Sequence, residues 1–194
     1  MFRNVSQHRI RSRAIVVGLA AILATMTTGL GTANASADST GTRAFASQAA
    51  SAGLTPAEAR TLQAEVDDHL ADLGGRQISA NKIEITPGAT ILLPLPGEKQ
   101  AREINAAAAD TGCYEGHICS WQYSNHTGGK IDQWQCSDVR SIPSTWNTVG
   151  IFHNNQTGNA IARFQGPHHE VVRTHMAPGV DTINWWYIYY IDPC

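Results

Sequence analysis

Apolar residues in this chain change their spacing twice. From Ala14 to Ala24 they form a nearly unbroken run. From Leu54 to Leu73 they recur at helical intervals, and after Cys113 they come in short bursts divided by Gly, Asn, Ser and Pro. The middle pattern predicts a helix over 56–73. Leu62, Val66, Leu70 and Leu73 share one face, and Leu54 sits before the cap as a hydrophobic staple. Thr55 and Glu58 have capping-box spacing, and Pro56 takes the first helical position, where a missing N–H costs nothing. Gly74-Gly75 ends the helix. Ile83 and Ile85 then alternate with polar residues, Pro87-Gly88 makes a turn, and an apolar run reaches Leu95, which together predict a β-hairpin. Pro94 and Pro96 place its second strand at an edge or near an end.

The third pattern predicts six strands at 118–123, 131–136, 149–153, 160–164, 170–173 and 183–191. Short strands at this interval with turns between them indicate an antiparallel sandwich or barrel, so the fold class is mainly β. In the last strand, alternation puts Trp185, Tyr187, Tyr189 and Ile191 on one face and Trp186, Ile188 and Tyr190 on the other. Both faces are apolar, as in a central strand covered on each side. The competing reading leaves one aromatic face exposed as a platform for a protein partner or for sugar rings.

Composition divides the chain further. Residues 1–37 hold Arg3, Arg9, Arg11 and Arg13 and no acid, followed by the apolar run and the small-x-small triplets Ala33-Asn34-Ala35 and Ala35-Ser36-Ala37. This is the pattern of a secretory signal peptide. It implies an extracellular protein with no stable membrane insertion after cleavage. Removing it leaves 10 basic and 16 acidic residues, a net charge of −6, and nothing supplies the basic face that nucleic-acid binding usually needs, so no nucleic-acid partner is expected. Residues 38–53, rich in Ala, Ser and Thr, read as a flexible mature N-terminus. The helix-plus-hairpin leader at 54–97 reads either as a unit docked on the C-terminal domain or as a pro-region. Residues 98–112 read as a linker with exposed Lys99 and Arg102 open to proteolysis.

All four cysteines (Cys113, Cys119, Cys136, Cys194), all five Trp and all five Tyr lie in the remainder. Four Cys in an exported chain indicate two disulfides, for which three pairings exist. The preferred set is Cys113–Cys119, closing a local loop, and Cys136–Cys194, whose long loop stabilises by about 4 kcal/mol. Covalent staples matter in a domain this small, whose core is thin.

The run CYEGHICSWQYSNHTGGKIDQW from Cys113 resembles the opening of small secreted actinobacterial proteins classed as peptidase inhibitors with a βγ-crystallin-like fold. Trp121 and Tyr123 match the aromatic first strand of a crystallin-type Greek key, and Gly129 matches the glycine of its folded hairpin. Position 127, where an aromatic is expected, holds Thr127. Where calcium-binding members carry two Asn/Asp and then Ser/Thr, only Asn147 fits, so the resemblance implies no calcium. A looser second copy runs from Asn154 to the end. The resemblance covers about 111–194 and implies a disulfide-braced βγ-crystallin-like sandwich over 113–194, with a secreted peptidase, in particular a metalloproteinase, as partner.

No catalytic constellation is visible. His168, His169, Glu170 and His175 lack HExxH spacing, and on a strand His169 and His175 would stand about 20 Å apart at about 3.3 Å per residue. Cys113 and Cys119 lack zinc-knuckle spacing. No nucleophile-elbow motif or phosphate-cradling Gly loop occurs, and oxidised cysteines leave no thiolate. The reading is a non-catalytic binding protein without cofactor or metal. Its partner-contacting segments are the turn 124–130, with Asn125, His126 and Thr127, and the loop 141–148, with Ser144 and Trp146. The alternatives are a cell-wall or carbohydrate-binding module and a crystallin-fold secreted toxin.

Overall fold

The structure is a computed structural model that describes residues 35–136 and 139–194. The signal segment read from 1–37 lies outside them except for its last three positions. Two helices, α1 (Ala35–Ser51) and α2 (Pro56–Leu73), precede eleven strands. These are β1 (Arg76–Ser79), β2 (Lys82–Thr86), β3 (Ala89–Leu92), β4 (His117–Trp121), β5 (Lys130–Gln133), β6 (Arg140–Ser141), β7 (Val149–Asn155), β8 (Ile161–Gln165), β9 (Val171–Met176), β10 (Gly179–Asn184) and β11 (Tyr190–Asp192). The fold is mainly β: a seven-stranded sheet in the order β1-β2-β3-β5-β4-β7-β10 and a four-stranded sheet in the order β6-β11-β8-β9, with all strand pairings antiparallel. The strands after Cys113 form two runs of four, β4–β7 and β8–β11. In each run the third strand, β6 or β10, sits in the sheet of the other run. Disulfides join Cys113 to Cys119 and Cys136 to Cys194.

Helix α2 forms where its pattern places it. The Thr55 hydroxyl accepts from the Glu58 N–H at 3.3 Å, and the Glu58 carboxylate accepts from the Thr55 N–H at 2.8 Å. Residues 38–53 differ from expectation. They are helical almost throughout, because Phe45 and Ala49 pack with Leu62, Leu95 and Ile104, and Gln48 Oε1 accepts from the Ala80 N–H at 2.8 Å. An Ala-rich segment is a strong helix former once one face is covered.

The hairpin is no appendage. β3 pairs with β5 in the register Ala89↔Gln133, Thr90↔Asp132, Ile91↔Ile131 and Leu92↔Lys130. That makes β3 an interior strand, which is tolerable because Pro94 follows the last paired residue. Val66, Ile83 and Ile91 share one core cluster with Ile131, Phe152 and Trp185. Residues 98–112 are bound across the same body. The Gly128 N–H donates to Lys99 O at 2.8 Å, and buried Asn81 donates through Nδ2 to Leu93 O at 2.7 Å and Arg102 O at 2.8 Å. Lys99 is exposed, but the Arg102 guanidinium is engaged by Glu98 and by the carbonyls of Ile104 and Ala106.

Lys130 is 1% exposed. Its ammonium lies 2.8 Å from Asp110 Oδ2, 3.8 Å from Asp132 Oδ2 and 5.4 Å from the centre of the Trp121 ring. Asp110 thus fastens the end of the 98–112 segment onto a buried cation. Without Asp110 the buried ammonium keeps only the longer contact to Asp132, which His117 also engages, so the charge is left poorly compensated. Asp110→Asn is therefore expected to cost about 3 kcal/mol in urea unfolding, and adding Lys130→Met is expected to restore part of it. Equal stability of Asp110→Asn and the parent would show that the pair anchors nothing.

Candidate functional site

The 183–191 run departs most from the sequence reading. It is not one strand. β10 ends at Asn184, Trp185–Tyr187 form a single 3-10 turn, and β11 begins at Tyr190 in the other sheet. The cause is local. Asn184 Oδ1 accepts from the Trp186 N–H at 3.1 Å, an N-cap bond that competes with the ladder, and the Ile188 N–H closes the turn onto Trp185 O at 2.9 Å. The alternation breaks at this corner. Trp185, Ile188 and Ile191 are buried, while Trp186, Tyr187 and Tyr189 are 61%, 61% and 49% exposed.

Trp185 fixes the corner. Its indole N–H donates to Trp121 O at 3.0 Å, and its ring lies 5.3 Å from that of Trp146. Gly150 makes room for it, since a Cβ there would come within 1.8 Å of Trp185 Nε1.

Beside the corner runs a groove of about 550 Å³ between the C-terminal end of α2, the 141–148 loop and the aromatic turn. Ile142, Trp146, Trp185 and Ile188 are its buried lining, and Trp186 and Tyr189 are its exposed rings. Its walls are tied down. Asp72 Oδ2 accepts from the Ser144 N–H at 2.7 Å, and the Ile142 N–H donates to Tyr189 O at 3.0 Å. The Tyr190 ring stacks on His169 at 4.1 Å, and that imidazole's Nδ1 lies 3.1 Å from Gln165 Oε1. Among the lining residues Asp72 is the one charged group, and it is already bonded to Ser144. Aromatic faces, the Asn147 amide and the Ser141 and Ser144 hydroxyls complete the lining. Such a set stacks on a ring and hydrogen-bonds its substituents, and it carries no paired carboxylates for hydrolysis.

Of the residues singled out from the sequence, Ser144 and Trp146 line this groove; Ser144 is exposed, whereas Trp146 is 3% exposed and lies beneath. Asn125, His126 and Thr127 do not line it. They form a turn in which the Thr127 hydroxyl donates to Asn125 Oδ1 at 2.6 Å, and His126 takes a left-handed φ of 59°. His168, His169 and His175 do not converge. His169 lies in the turn before β9, stacked on Tyr190, and His175 packs edge-on to Phe152 at 4.9 Å. Among the described residues, no group of three or more His, Cys, Asp or Glu is placed to hold a metal ion. Trp186, Tyr189 and Asp72 were not singled out as one site. The available signal was Asn184, a capping residue directly before the Trp pair. No protein-family model, curated protein or solved structure matches the chain.

Proposed function

We propose that the protein is exported, acts by binding and not by catalysis, and takes a carbohydrate in the groove beside Trp186. The observation that carries this is Trp186, 61% exposed on a turn whose neighbour Trp185 is wholly buried. A large ring held in water by a rigid base stacks on a ligand with little entropy left to lose. A lining of aromatic, amide and hydroxyl groups, with Asp72 as its one charge, suits the hydroxyls and apolar faces of sugar rings. Two disulfides are compatible with an extracellular setting, and no helix among the described residues is long and apolar enough to cross a membrane. The test is retention on insoluble chitin, cellulose and peptidoglycan. The intact protein is expected to be held by at least one of them. Trp186→Ala is expected to weaken that binding about tenfold, roughly 1.4 kcal/mol, while leaving unfolding stability within about 0.5 kcal/mol. Passage of the intact protein through all three, or full retention of the variant, would refute the assignment.

A second reading, peptidase inhibition, is favoured by the strand order. Within the sheets, β7-β4-β5 and β11-β8-β9 repeat the fourth-first-second sequence of a Greek key, which supports the crystallin-like resemblance. The turn between β4 and β5 would then be the presenting segment, with Ser124 and Asn125 exposed at its tip. Titration against secreted metallo- and serine peptidases is expected to show inhibition that Asn125→Ala weakens. No inhibition at micromolar concentration would remove this reading and leave the first intact.

A further inference from the structure

Two histidines far apart in sequence meet on the face of the large sheet turned away from the small one. His153 projects from β7 and His126 folds back from the β4–β5 turn, and their Nε2 atoms are 2.9 Å apart. Their ring centres are 4.9 Å apart. The 2.0 Å difference leaves roughly one ring radius on each side, so the two nitrogens point nearly head to head. Because the two nitrogens aim at each other, their lone pairs do not converge on a point off that line, and a metal ion on the line would need about 4 Å. The arrangement suits one proton: one Nε2–H donates and the other Nε2 accepts. A single added proton on the pair keeps that bond, and a second abolishes it by turning the acceptor into a donor.

The surroundings oppose the second proton. Trp121 on β4 lies 4.7 Å from both rings, edge-on to His126 and tilted to His153. From β5, the buried Lys130 ammonium raises the local positive potential, offset by its partners Asp132 and, from the 98–112 segment, Asp110. Asp132 is also taken by His117 of β4 at 2.6 Å. From the β10 side, Pro178, Gly179 and Val180 share a cavity with His153 and bring no charge. Burial lowers the proton affinity of both imidazoles, and for His153 the charge of a protonated His126 and then Lys130 lower it further.

We infer that His126 and His153 form a proton-operated latch that holds the β4–β5 turn against the sheet near neutral pH and releases it in mild acid. Besides the latch, the turn is closed at its base by the Gln122 N–H to Gly129 O and the Gly129 N–H to Gln122 Oε1, within it by the Tyr123 N–H to Thr127 O, the His126 N–H to Tyr123 O and the Thr127 hydroxyl to Asn125 Oδ1, and tied to the 98–112 segment by the Gly128 N–H to Lys99 O. The sign comes from linkage. The closed state binds the second proton less readily than the open state, whose imidazoles titrate near the ordinary value of about 6.5. Closure is therefore fully favoured above that value and weakens as pH falls through it. The closed-to-open ratio drops about tenfold for each pKa unit separating the two states. The exposed tip at Ser124 and Asn125 is carried by this turn, so its presentation to a partner becomes acid-sensitive. The inference is independent of what the groove binds.

The experiment is amide exchange by NMR on the exported chain between about pH 7.5 and about pH 5, corrected for intrinsic rates. Protection at Tyr123, His126 and Gly128 is expected to fall tenfold or more, with the amides of the β8–β9 pair unchanged. His153→Gln removes titration at one partner and is expected to erase the pH dependence. If that variant does not fold, His126→Gln removes the same bond from the turn side. Turn protection that stays constant across the range in the parent, or an acid loss that persists in the glutamine variant, would overturn the latch.

Discussion

The structure depends on the seam between β3 and β5. Four residue pairs, from Ala89↔Gln133 to Leu92↔Lys130, join a helix and hairpin to the strands beyond Cys113. Without that seam β5 would be an exposed edge with its hydrogen-bonding groups unpaired, and Val66 and Ile83 would lose the cluster they share with Ile131 and Phe152. Asp110 and Lys130 reinforce the union from the opposite face. The early segment thus contributes Val66, Ile83, Ile85, Ala89, Ile91 and Leu93 to the main core. Asp72, near the C-terminal end of α2, reaches across to the Ser144 amide and so supplies one wall of the groove.

The second constraint is the corner where the chain leaves one sheet for the other. Trp185 fills the space that Gly150 leaves open and bonds to Trp121 O. Once that indole is fixed inside, a 3-10 turn carries Trp186 and Tyr187 outward, and with Ile188 buried the chain beyond the turn leaves Tyr189 exposed as well. Exposed Trp186 and Tyr189 are therefore a geometric consequence of buried Trp185 and Ile188. The same cluster that stabilises the fold also presents the aromatic rim.

Much of the architecture could be read from residues alone. The Thr55–Glu58 cap, Pro56 and Gly74 bound α2 because their chemistry is local, and β2 and β7 alternate because one face of each is the more deeply covered. What escaped was non-local. Nothing in the leader's own pattern shows that Ile91 will pair with Ile131, since a hairpin that joins a larger sheet and one that stands alone have the same alternation. The Ala-rich segment 38–53 reads as loose because its helix is stabilised by Leu62, Leu95 and Ile104, which are distant in sequence. The WWYIYY run misleads for the opposite reason: period-2 alternation is present, but the Asn184 cap interrupts it. Of the residues singled out from the sequence, Ser144 and Trp146 line the groove, and Asn125, His126 and Thr127 do not. The rings facing solvent were not legible, because their exposure is set by the corner.

The most direct test of this account is native-state hydrogen exchange on the intact protein, read at the amides of β2 and β3 against those of β4, β5 and β7. If the leader and the later strands are one cooperative body, the seam amides will exchange only through global opening, with the same free energy as the central strands. Exchange of β2 and β3 at a distinctly lower free energy, with β4, β5 and β7 still protected, would show that the leader is a separable attachment and would contradict the account.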